Sequence, residues 1–242
     1  MRYILKDTKN VRVRQAEVLL EHTKDYNTSQ KVKDIIRDLY NGCCAYCDCA
    51  FEEGAYYQLD HFYPKSKAKY KKYRKCIKNL HYSCQRCNNL KGAKDPHNIL
   101  SPNYYLSNDL EWQMTSREKI NDELIYVGHL LFSINKNTNS IDRGLETIKM
   151  FNLNNTDFNT RGNRSFLVEC RIKTFASVYH IIAAIYSLLV NYYPQNNDAI
   201  ETLFKVLIPS TYESSHFSNM IIHNFGTSII QLLSVYCKLK CK

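Results

Sequence analysis

Two pairs of cysteines have the spacing of metal ligands. The pairs are Cys44-Ala45-Tyr46-Cys47 and Cys84-Gln85-Arg86-Cys87. Two such turns are the usual way to build a closed tetrahedral site, because each turn presents two thiolates to one zinc ion. We therefore predict a structural zinc held by Cys44, Cys47, Cys84 and Cys87. Cys43 and Cys49 flank the first pair and are alternative ligands.

Between the pairs lies a carboxylate next to a histidine, Asp60-His61. A carboxylate can hold a divalent cation and an imidazole can accept a proton from water, so the two side chains suit metal-assisted hydrolysis. A capped turn or a core histidine is the alternative for this pair taken alone. Its position between the cysteine pairs favours the catalytic interpretation, whereas His81 fits a structural role better.

The positive charge of the chain is concentrated beside this pair. Residues 61–94 carry eleven of the 33 Lys and Arg residues and no Asp or Glu, while the other 22 basic residues face 23 acidic ones. Such a run is often only a solvated face. Here tyrosines alternate with the lysines, which suits contact with phosphates and stacking on bases. We therefore expect nucleic acid as the partner.

The elements that position the first pair can be predicted in outline. Apolar residues at helical spacing indicate a helix after Ser29 that ends at Gly42. After Cys49, a β-hairpin is predicted, with a first strand at Phe51 and a return strand over Tyr56–His61. This return strand would carry the Asp-His pair.

The elements around the second pair are less regular. Residues 67–76 predict a short basic helix or a loop. The second pair should lead into a short helix near Asn88, broken at Gly92.

The C-terminal half is mostly helical in pattern. Residues 124–134 fit a strand pair or a helix, and residues 141–151 fit a helix. From Phe166 onward the apolar spacing predicts at least three helices, separated near Pro194 and Pro209.

Length and composition agree with an α+β protein. A chain of 242 residues with 44% apolar content can bury a core. We predict three regions: a helical support over 1–40, a catalytic module over 41–102, and a mostly helical region over 103–242 that is available for partner docking. No secretory segment follows Met1, and the apolar run Val178–Val190 is too short to cross a bilayer, so we expect a cytoplasmic protein with no membrane partner. In that reducing compartment paired cysteines indicate metal binding.

The order of motifs resembles the zinc-stapled HNH endonucleases. It reads Cys-x-x-Cys, Asp-His-x-x-Pro-Lys-Ser, Asn-Leu and Cys-x-x-Cys-Asn-x-x-Lys-Gly over residues 41–102. The resemblance implies a ββα-metal (HNH) module, stapled by a four-cysteine zinc site and embedded in a mostly helical body. The segments 44–47, 61–66 and 146–154 are further similar to the HNH subunit of Septu-type and retron-linked antiphage systems.

The resemblance implies a role for each motif residue. His61 would be the general base, and Asp60 and Asn88 would hold a catalytic Mg²⁺ or Mn²⁺. Asn79 would tie the intervening loop and orient the base. Asn88 stands where some members carry His, which keeps an oxygen ligand. Three lysines would contact nucleic acid: Lys65, Lys67 and Lys91.

The resemblance also implies partners. Septu-type subunits act with an ATPase, so a PtuA-like ATPase partner is expected, with DNA favoured as the substrate and RNA as the alternative. A zinc-stapled nucleic-acid-binding or adaptor module that does not cut is the alternative function. The sequence does not fit nucleobase deaminases, which need His-x-Glu ahead of Pro-Cys-x-x-Cys, because Phe62-Tyr63 follows His61 and Ser83 precedes Cys84.

Overall fold

The computed structural model describes most of the chain, and its contacts divide the protein into two units. The described residues are 4–6, 9–23, 29–50, 57–104, 124–134, 141–155, 166–191, 194–212 and 215–240. The first unit comprises residues 1–125 and 131–153, and the second comprises residues 126–130 and 154–242. The first unit contains both cysteine pairs. The division into three regions at residues 40 and 102 stays a prediction.

The first unit combines short strands with helices. Its strands are β1 (Ile4–Leu5), β2 (Tyr57–His61), β3 (Leu80–Cys84) and β4 (Asn103–Tyr104), and its helices are α1 (Val11–His22), α2 (Gln30–Leu39), α3 (Gln85–Lys91) and α4 (Arg143–Met150). Strand β1 pairs in parallel with β4. This arrangement confirms the α+β class.

Helices α1 and α2 form a support behind the cysteine pairs. Asn10 caps α1, since its side chain accepts the Arg12 N–H at 2.9 Å. Helix α2 ends at Leu39, three residues before the predicted stop at Gly42. The Gly42 N–H donates to the Arg37 carbonyl at 3.0 Å, and its φ of +70° is a left-handed conformation that glycine adopts without strain. The apolar faces of both helices share one buried core with Ile77, β3 and the turn that carries the first cysteine pair, which we call the first knuckle. The core residues are Val13, Ala16, Leu20, Val32, Ile36, Tyr40, Ala45, Ile77, Leu80 and Tyr82.

Strands β2 and β3 form the antiparallel hairpin that carries the site. Asp60 pairs with His81, and His61 pairs with Leu80. The predicted strand at Phe51 and its turn lie outside the described residues. The described partner of β2 is therefore β3, which comes 19 positions after β2 ends. Pairing at that separation depends on tertiary contacts, so local turn signals did not reveal it.

The chain between β2 and β3, which includes the segment predicted as a short basic helix or a loop, is partly helical. It contains two 3-10 helices, Ala68–Tyr73 and Ile77–Asn79. After β3 the chain enters α3, which ends at Gly92 with φ of +51°. Both the short helix near Asn88 and its end at Gly92 are confirmed.

Strands β5 (Leu124–Val127) and β6 (Leu130–Ser133) pair through a turn with Gly128 at φ of +60°. The strand pair, and not the helix, is thus the correct prediction for residues 124–134. Within the second unit, Asn224 accepts the Gly128 N–H and donates to the Gly128 carbonyl, both at 3.0 Å.

The second unit is dominated by long helices. They are α5 (Leu167–Asn191), α6 (Asn197–Leu207) and α7 (Ser218–Lys240), with a 3-10 helix at Ile208–Thr211. Phe175 of α5 packs on Phe225 of α7 with ring centroids 4.8 Å apart. The expected breaks near Pro194 and Pro209 are confirmed.

Helices α5 and α7 are long and apolar enough to cross a bilayer by length and composition. The apolar run Val178–Val190 was predicted to be too short, but the helix that contains it has 25 residues. Only 11% of the apolar stretch of α5 and 28% of that of α7 is buried within the protein. Core helices of soluble proteins meet the same length and composition criteria, so this is weak evidence for a membrane span. The cytoplasmic location stays a prediction.

Candidate functional site

The thiols of the two cysteine pairs converge. The Sγ atoms of Cys44, Cys47, Cys84 and Cys87 all lie within 4.8 Å of one another. Tetrahedral zinc bonded at about 2.3 Å would separate its sulfurs by about 3.8 Å. The Cys47 and Cys84 sulfurs are 4.0 Å apart. This thiolate cluster therefore fits a closed zinc site.

Local backbone geometry explains the convergence. In the first pair, the Asp48 N–H donates to the Cys44 carbonyl at 3.0 Å and Asp48 has φ of 63°, so the chain reverses between the thiols. In the second pair, Cys84 caps α3 and its sulfur accepts the Cys87 N–H at 3.3 Å. The Cys84 N–H donates to the Cys44 sulfur at 3.4 Å. Such N–H donors stabilise the thiolate form that binds metal.

The alternative ligands Cys43 and Cys49 do not join the thiolate cluster. The Cys43 sulfur donates to the Asn41 carbonyl and the Cys49 sulfur to the Ala50 carbonyl, each at 3.6 Å. Their backbones close the first knuckle instead, through a bridge between Cys43 and Ala50 and through the Cys49 carbonyl, which accepts the Cys44 N–H at 2.9 Å.

A cavity of about 650 Å³ lies against β2 and α3. The predicted site residues Asp60, His61 and Asn88 all line it, together with Lys65 and with Lys33 from α2. The volume is within the range of about 300–1,000 Å³ that is usual for ligand sites. The structure therefore brings the predicted base and the predicted metal ligands to one opening, which we call the catalytic cavity.

Asp60 is held from both sides of its carboxylate. Its Oδ1 accepts the Lys91 ammonium at 3.0 Å, and its Oδ2 accepts the Tyr46 hydroxyl. Burial raises the pKa of Asp60, while the Lys91 charge and the two hydrogen bonds act in the opposite direction. Each carboxylate oxygen has two lone pairs, so one hydrogen bond to each oxygen leaves capacity for a cation.

His61 is positioned by a backbone carbonyl. Its Nε2 lies 2.9 Å from the Arg74 carbonyl, which can only accept, so Nε2 carries the proton of the neutral ring. The lone pair is then on Nδ1, which is the atom able to accept a proton. Burial lowers the pKa of His61 to about 4. The ordinary pKa of an imidazole is near ~6.5, and the difference follows from desolvation of a ring that is only 5% exposed.

Asn79 ties together the chain that follows His61. Its Oδ1 accepts the Tyr63 N–H at 2.7 Å, and its Nδ2 donates to the carbonyls of Tyr63 and Tyr73 at 3.1 and 3.2 Å. The Asn79 carbonyl also accepts the Phe62 N–H at 2.9 Å. These contacts match a conformational role for a side chain that is fully buried.

Asn88 lies on α3 and faces β2. Its Nδ2 donates to Gln58 Oε1, so the amide oxygen is the atom offered to a cation. Gln58 and Asp60 are two positions apart on β2 and share a strand face. The amide of Asn88 and the carboxylate of Asp60 form a set of oxygen donors that suits a hard cation such as Mg²⁺ or Mn²⁺.

The three predicted phosphate contacts have different surroundings. Lys65 is exposed and lines the catalytic cavity. Lys67 is partly exposed and lies 3.5 Å from the Asp95 carboxylate. Lys91 is only 1% exposed, and its ammonium also donates to the His61 carbonyl at 2.5 Å. A phosphate contact does not fit Lys91, because the buried ammonium is turned toward β2.

Three contributors to the site were missed from sequence. They are the Tyr46 hydroxyl, the Arg74 carbonyl and the Lys33 ammonium. The contact of Tyr46 could have been predicted from the sequence, because a buried tyrosine usually finds a hydrogen-bond partner for its hydroxyl. The other two come from α2 and from the residue after the first 3-10 helix, and only the tertiary fold brings them beside the cavity and His61.

Comparison with known proteins agrees with this geometry. Residues 44–94 match the family model described as HNH endonuclease. The chain is 31% identical over 142 residues to Septu protein PtuB of Bacillus thuringiensis, which covers 51% of this chain and 54% of the relative. The chain thus spans about half the length of the curated relative that it matches. No solved structure matches the chain. Residues 44–94 thus combine a four-cysteine cluster and an Asp-His pair with a match to the HNH endonuclease family model.

Proposed function

We propose that this protein is a metal-dependent endonuclease that hydrolyses phosphodiester bonds in nucleic acid, and that it is the nuclease effector of an antiphage defence system. One observation carries the proposal: Asp60, His61 and Asn88 line the same cavity. A binding module has no need for an imidazole and two oxygen donors at one opening.

His61 is the general base in this proposal. At neutral pH the imidazole is uncharged, because burial lowers its pKa to about 4. The bond from Nε2 to the Arg74 carbonyl, at 2.9 Å, fixes the ring and its tautomer. Nδ1 then accepts the proton of the attacking water, which makes water a better nucleophile toward phosphorus.

Asp60 and Asn88 would hold the catalytic cation. When bound, Mg²⁺ or Mn²⁺ supplies positive charge that stabilises the charged transition state and the leaving oxygen. The contribution of the chain is to keep the Asp60 carboxylate anionic and oriented, through Lys91 and Tyr46. Lys65 and Lys67 contact phosphates that flank the scissile bond and set the register of the strand.

Two further features of the proposal follow from the resemblance to PtuB. The effector acts with a PtuA-like ATPase, and its substrate is DNA rather than RNA. A nuclease of this kind would act in the cytoplasm, where invading DNA is exposed and a partner can restrain cutting.

One observation favours the alternative of an adaptor that binds without cutting. Both carboxylate oxygens of Asp60 already accept hydrogen bonds, from Lys91 and from Tyr46. A cation must therefore bind through the remaining lone pairs or displace the Lys91 ammonium.

Nicking of supercoiled plasmid, with RNA of mixed sequence as a second substrate, tests the proposal. The wild type, with the ATPase partner present, should nick plasmid when Mg²⁺ or Mn²⁺ is added. His61→Ala should cut at least about 100-fold more slowly, because loss of a general base costs about 10²–10⁴ in rate. Its affinity for the plasmid should stay within a few-fold of wild type.

His97→Ala is the matched control. His97 lies just after the basic region, and its ring contacts the Asp95 carboxylate at 3.3 Å and the Tyr70 hydroxyl at 2.8 Å rather than the catalytic cavity. It should cut at nearly the wild-type rate. Equal cutting by wild type and His61→Ala would remove His61 from the mechanism, and binding without cutting by the wild type would favour the adaptor.

A further inference from the structure

We infer that Tyr46 is a positioning residue, which couples the thiolate cluster to the cation site by holding the Asp60 carboxylate. This inference rests on the proposed function. Tyr46 lies between the ligands Cys44 and Cys47 and is fully buried. Its hydroxyl donates to Asp60 Oδ2. A residue of the metal knuckle thus bonds directly to a residue of the catalytic cavity.

The knuckle fixes the backbone on both sides of Tyr46. The Ala45 N–H donates to the Tyr82 carbonyl of β3 at 2.8 Å. The Asp48 N–H closes the turn on the Cys44 carbonyl at 3.0 Å. Closure of the knuckle around a metal therefore sets where the Cα–Cβ bond of Tyr46 points.

Packing then fixes the ring of Tyr46. It stacks on Phe151 with centroids 4.3 Å apart and an interplanar angle of 18°, and its edge meets the His81 ring at 6.3 Å. With the backbone and the ring both held, the hydroxyl has little freedom to leave the carboxylate. Tyr46 is the rigid side of the bond, and the orientation of Asp60 follows from it.

The contacts of the carboxylate explain why this orientation matters. Lys91 donates to Oδ1 at 3.0 Å and Tyr46 donates to Oδ2, so the two donors fix the plane of the carboxylate. The lone pairs that remain then point in set directions. Loss of a hydrogen bond to a metal-ligating carboxylate typically costs 10–100-fold in metal affinity or activity.

The test compares Tyr46→Phe with Tyr40→Phe. Both variants lose a buried hydroxyl from the first unit, but the Tyr40 hydroxyl lies 2.5 Å from His81 Nδ1 and not on Asp60. Mn²⁺ binding is measured by electron paramagnetic resonance without nucleic acid, beside zinc content and plasmid nicking as a function of Mn²⁺ concentration.

Tyr46→Phe should weaken Mn²⁺ binding by about 10–100-fold and raise the Mn²⁺ concentration for half-maximal nicking by a similar factor. It should retain one zinc per chain. Tyr40→Phe should bind Mn²⁺ within about 2-fold of wild type, and its cutting should need the same Mn²⁺ concentration.

Two more variants keep the inference testable if Tyr46→Phe fails to fold. The triple variant Tyr46→Phe/Asp60→Asn/Lys91→Met should fold, because it removes the buried carboxylate that lost its donor together with the buried ammonium that pairs with it. If the triple variant also stays unfolded, the hydroxyl does not act through Asp60 and the inference is overturned. Phe151→Leu removes the stacked ring and keeps the hydroxyl, so it should lower the melting temperature more than it weakens Mn²⁺ binding.

The outcomes separate the two proposals. A wild type that binds Mn²⁺ and cuts, beside a folded Tyr46→Phe that matches it, overturns the inference and leaves the proposed function standing. A wild type that neither binds Mn²⁺ nor cuts overturns both.

Discussion

The thiolate cluster and the catalytic cavity are built from the same stretch of chain in opposite ways. The cluster has four soft ligands in a closed arrangement, with sulfurs within 4.8 Å of one another. The cavity offers the oxygens of Asp60 and Asn88 at an opening of about 650 Å³. A closed thiolate site leaves no position for water, whereas two oxygen ligands leave several. The closed cluster therefore suits a metal that stabilises the fold, and the open set of oxygen donors suits a cation that takes part in the proposed hydrolysis.

Removing one thiolate of the cluster should have the largest effect, because the fold around the catalytic cavity depends on the bound zinc. Cys87→Ser should lose zinc and cooperative unfolding, because structural zinc contributes about 10–16 kcal/mol, which is as large as the total stability of about 5–15 kcal/mol. Circular dichroism melts and zinc analysis measure this. Cys170→Ser, at an exposed cysteine of α5, is the control and should melt like wild type. A zinc-free Cys87→Ser that still melts cooperatively would contradict a folding role for the cluster.

Asn79→Ala should affect both regions through the loop that joins them. The variant removes the three hydrogen bonds that the Asn79 side chain makes with the Tyr63 N–H and with the Tyr63 and Tyr73 carbonyls, at about 1 kcal/mol for each lost bond. We expect a loss of at least about 2 kcal/mol in denaturant unfolding and slower cutting, with zinc retained. Unchanged stability would show that the loop is held by other contacts.

The buried amine of Lys6 makes the stability of the first unit depend on pH. Its Nζ donates to the carbonyls of Ile77 and Leu80, and burial lowers the pKa of Lys6 from 10.5 to about 7. Between pH 7 and 10.5 the unfolded chain carries a proton on Lys6 that the folded chain does not, so stability should rise with pH.

Integrated over pH 7 to 9, this effect amounts to about 2 kcal/mol. It appears as the difference between the stability curves of wild type and Lys6→Met, since the other titrating groups cancel. Below pH 7 both states of the wild type are protonated, and the two curves should run parallel. Curves that stay parallel from pH 7 to 9 would show that Lys6 remains charged in the folded protein.

The smallest expected effect is on the salt dependence of plasmid binding, when Lys65 at the edge of the catalytic cavity is replaced. Lys65→Gln should reduce the slope of log binding constant against log salt concentration by about one, because one phosphate contact is lost. Lys91→Gln would leave a much larger mark on stability than on this slope, since its ammonium is buried against Asp60. Titration of plasmid binding at several salt concentrations measures the slope. An unchanged slope in Lys65→Gln would place the phosphate path elsewhere.

Features with a fixed local spacing were predictable from the sequence. Thiol pairs two residues apart can fold only into a narrow range of knuckles, so the convergence at Cys44 and Cys84 followed from spacing. Helix α3 and its end at Gly92 followed from the knuckle and from the conformational freedom of glycine. Apolar periodicity sufficed for α2 and for the long C-terminal helices.

Features that depend on burial and on distant partners were not predictable. The family resemblance implied that Lys91 contacts nucleic acid, but α3 turns its ammonium onto Asp60 of β2. The Asp-His pattern indicated a base at His61 but not its burial, which lowers the pKa of that ring. The pairing of β2 with β3 and the length of α5 likewise depend on contacts that local patterns do not record.

Stepwise removal of metal ions tests most directly whether two separate cation sites serve folding and cutting. Mild chelation should abolish plasmid nicking while one zinc per chain and the melting temperature are retained, and Mg²⁺ or Mn²⁺ should then restore nicking. Chelation under partly denaturing conditions should remove the zinc and unfold the protein, after which Mg²⁺ alone should restore nothing. Nicking that persists with zinc as the sole metal would contradict the account.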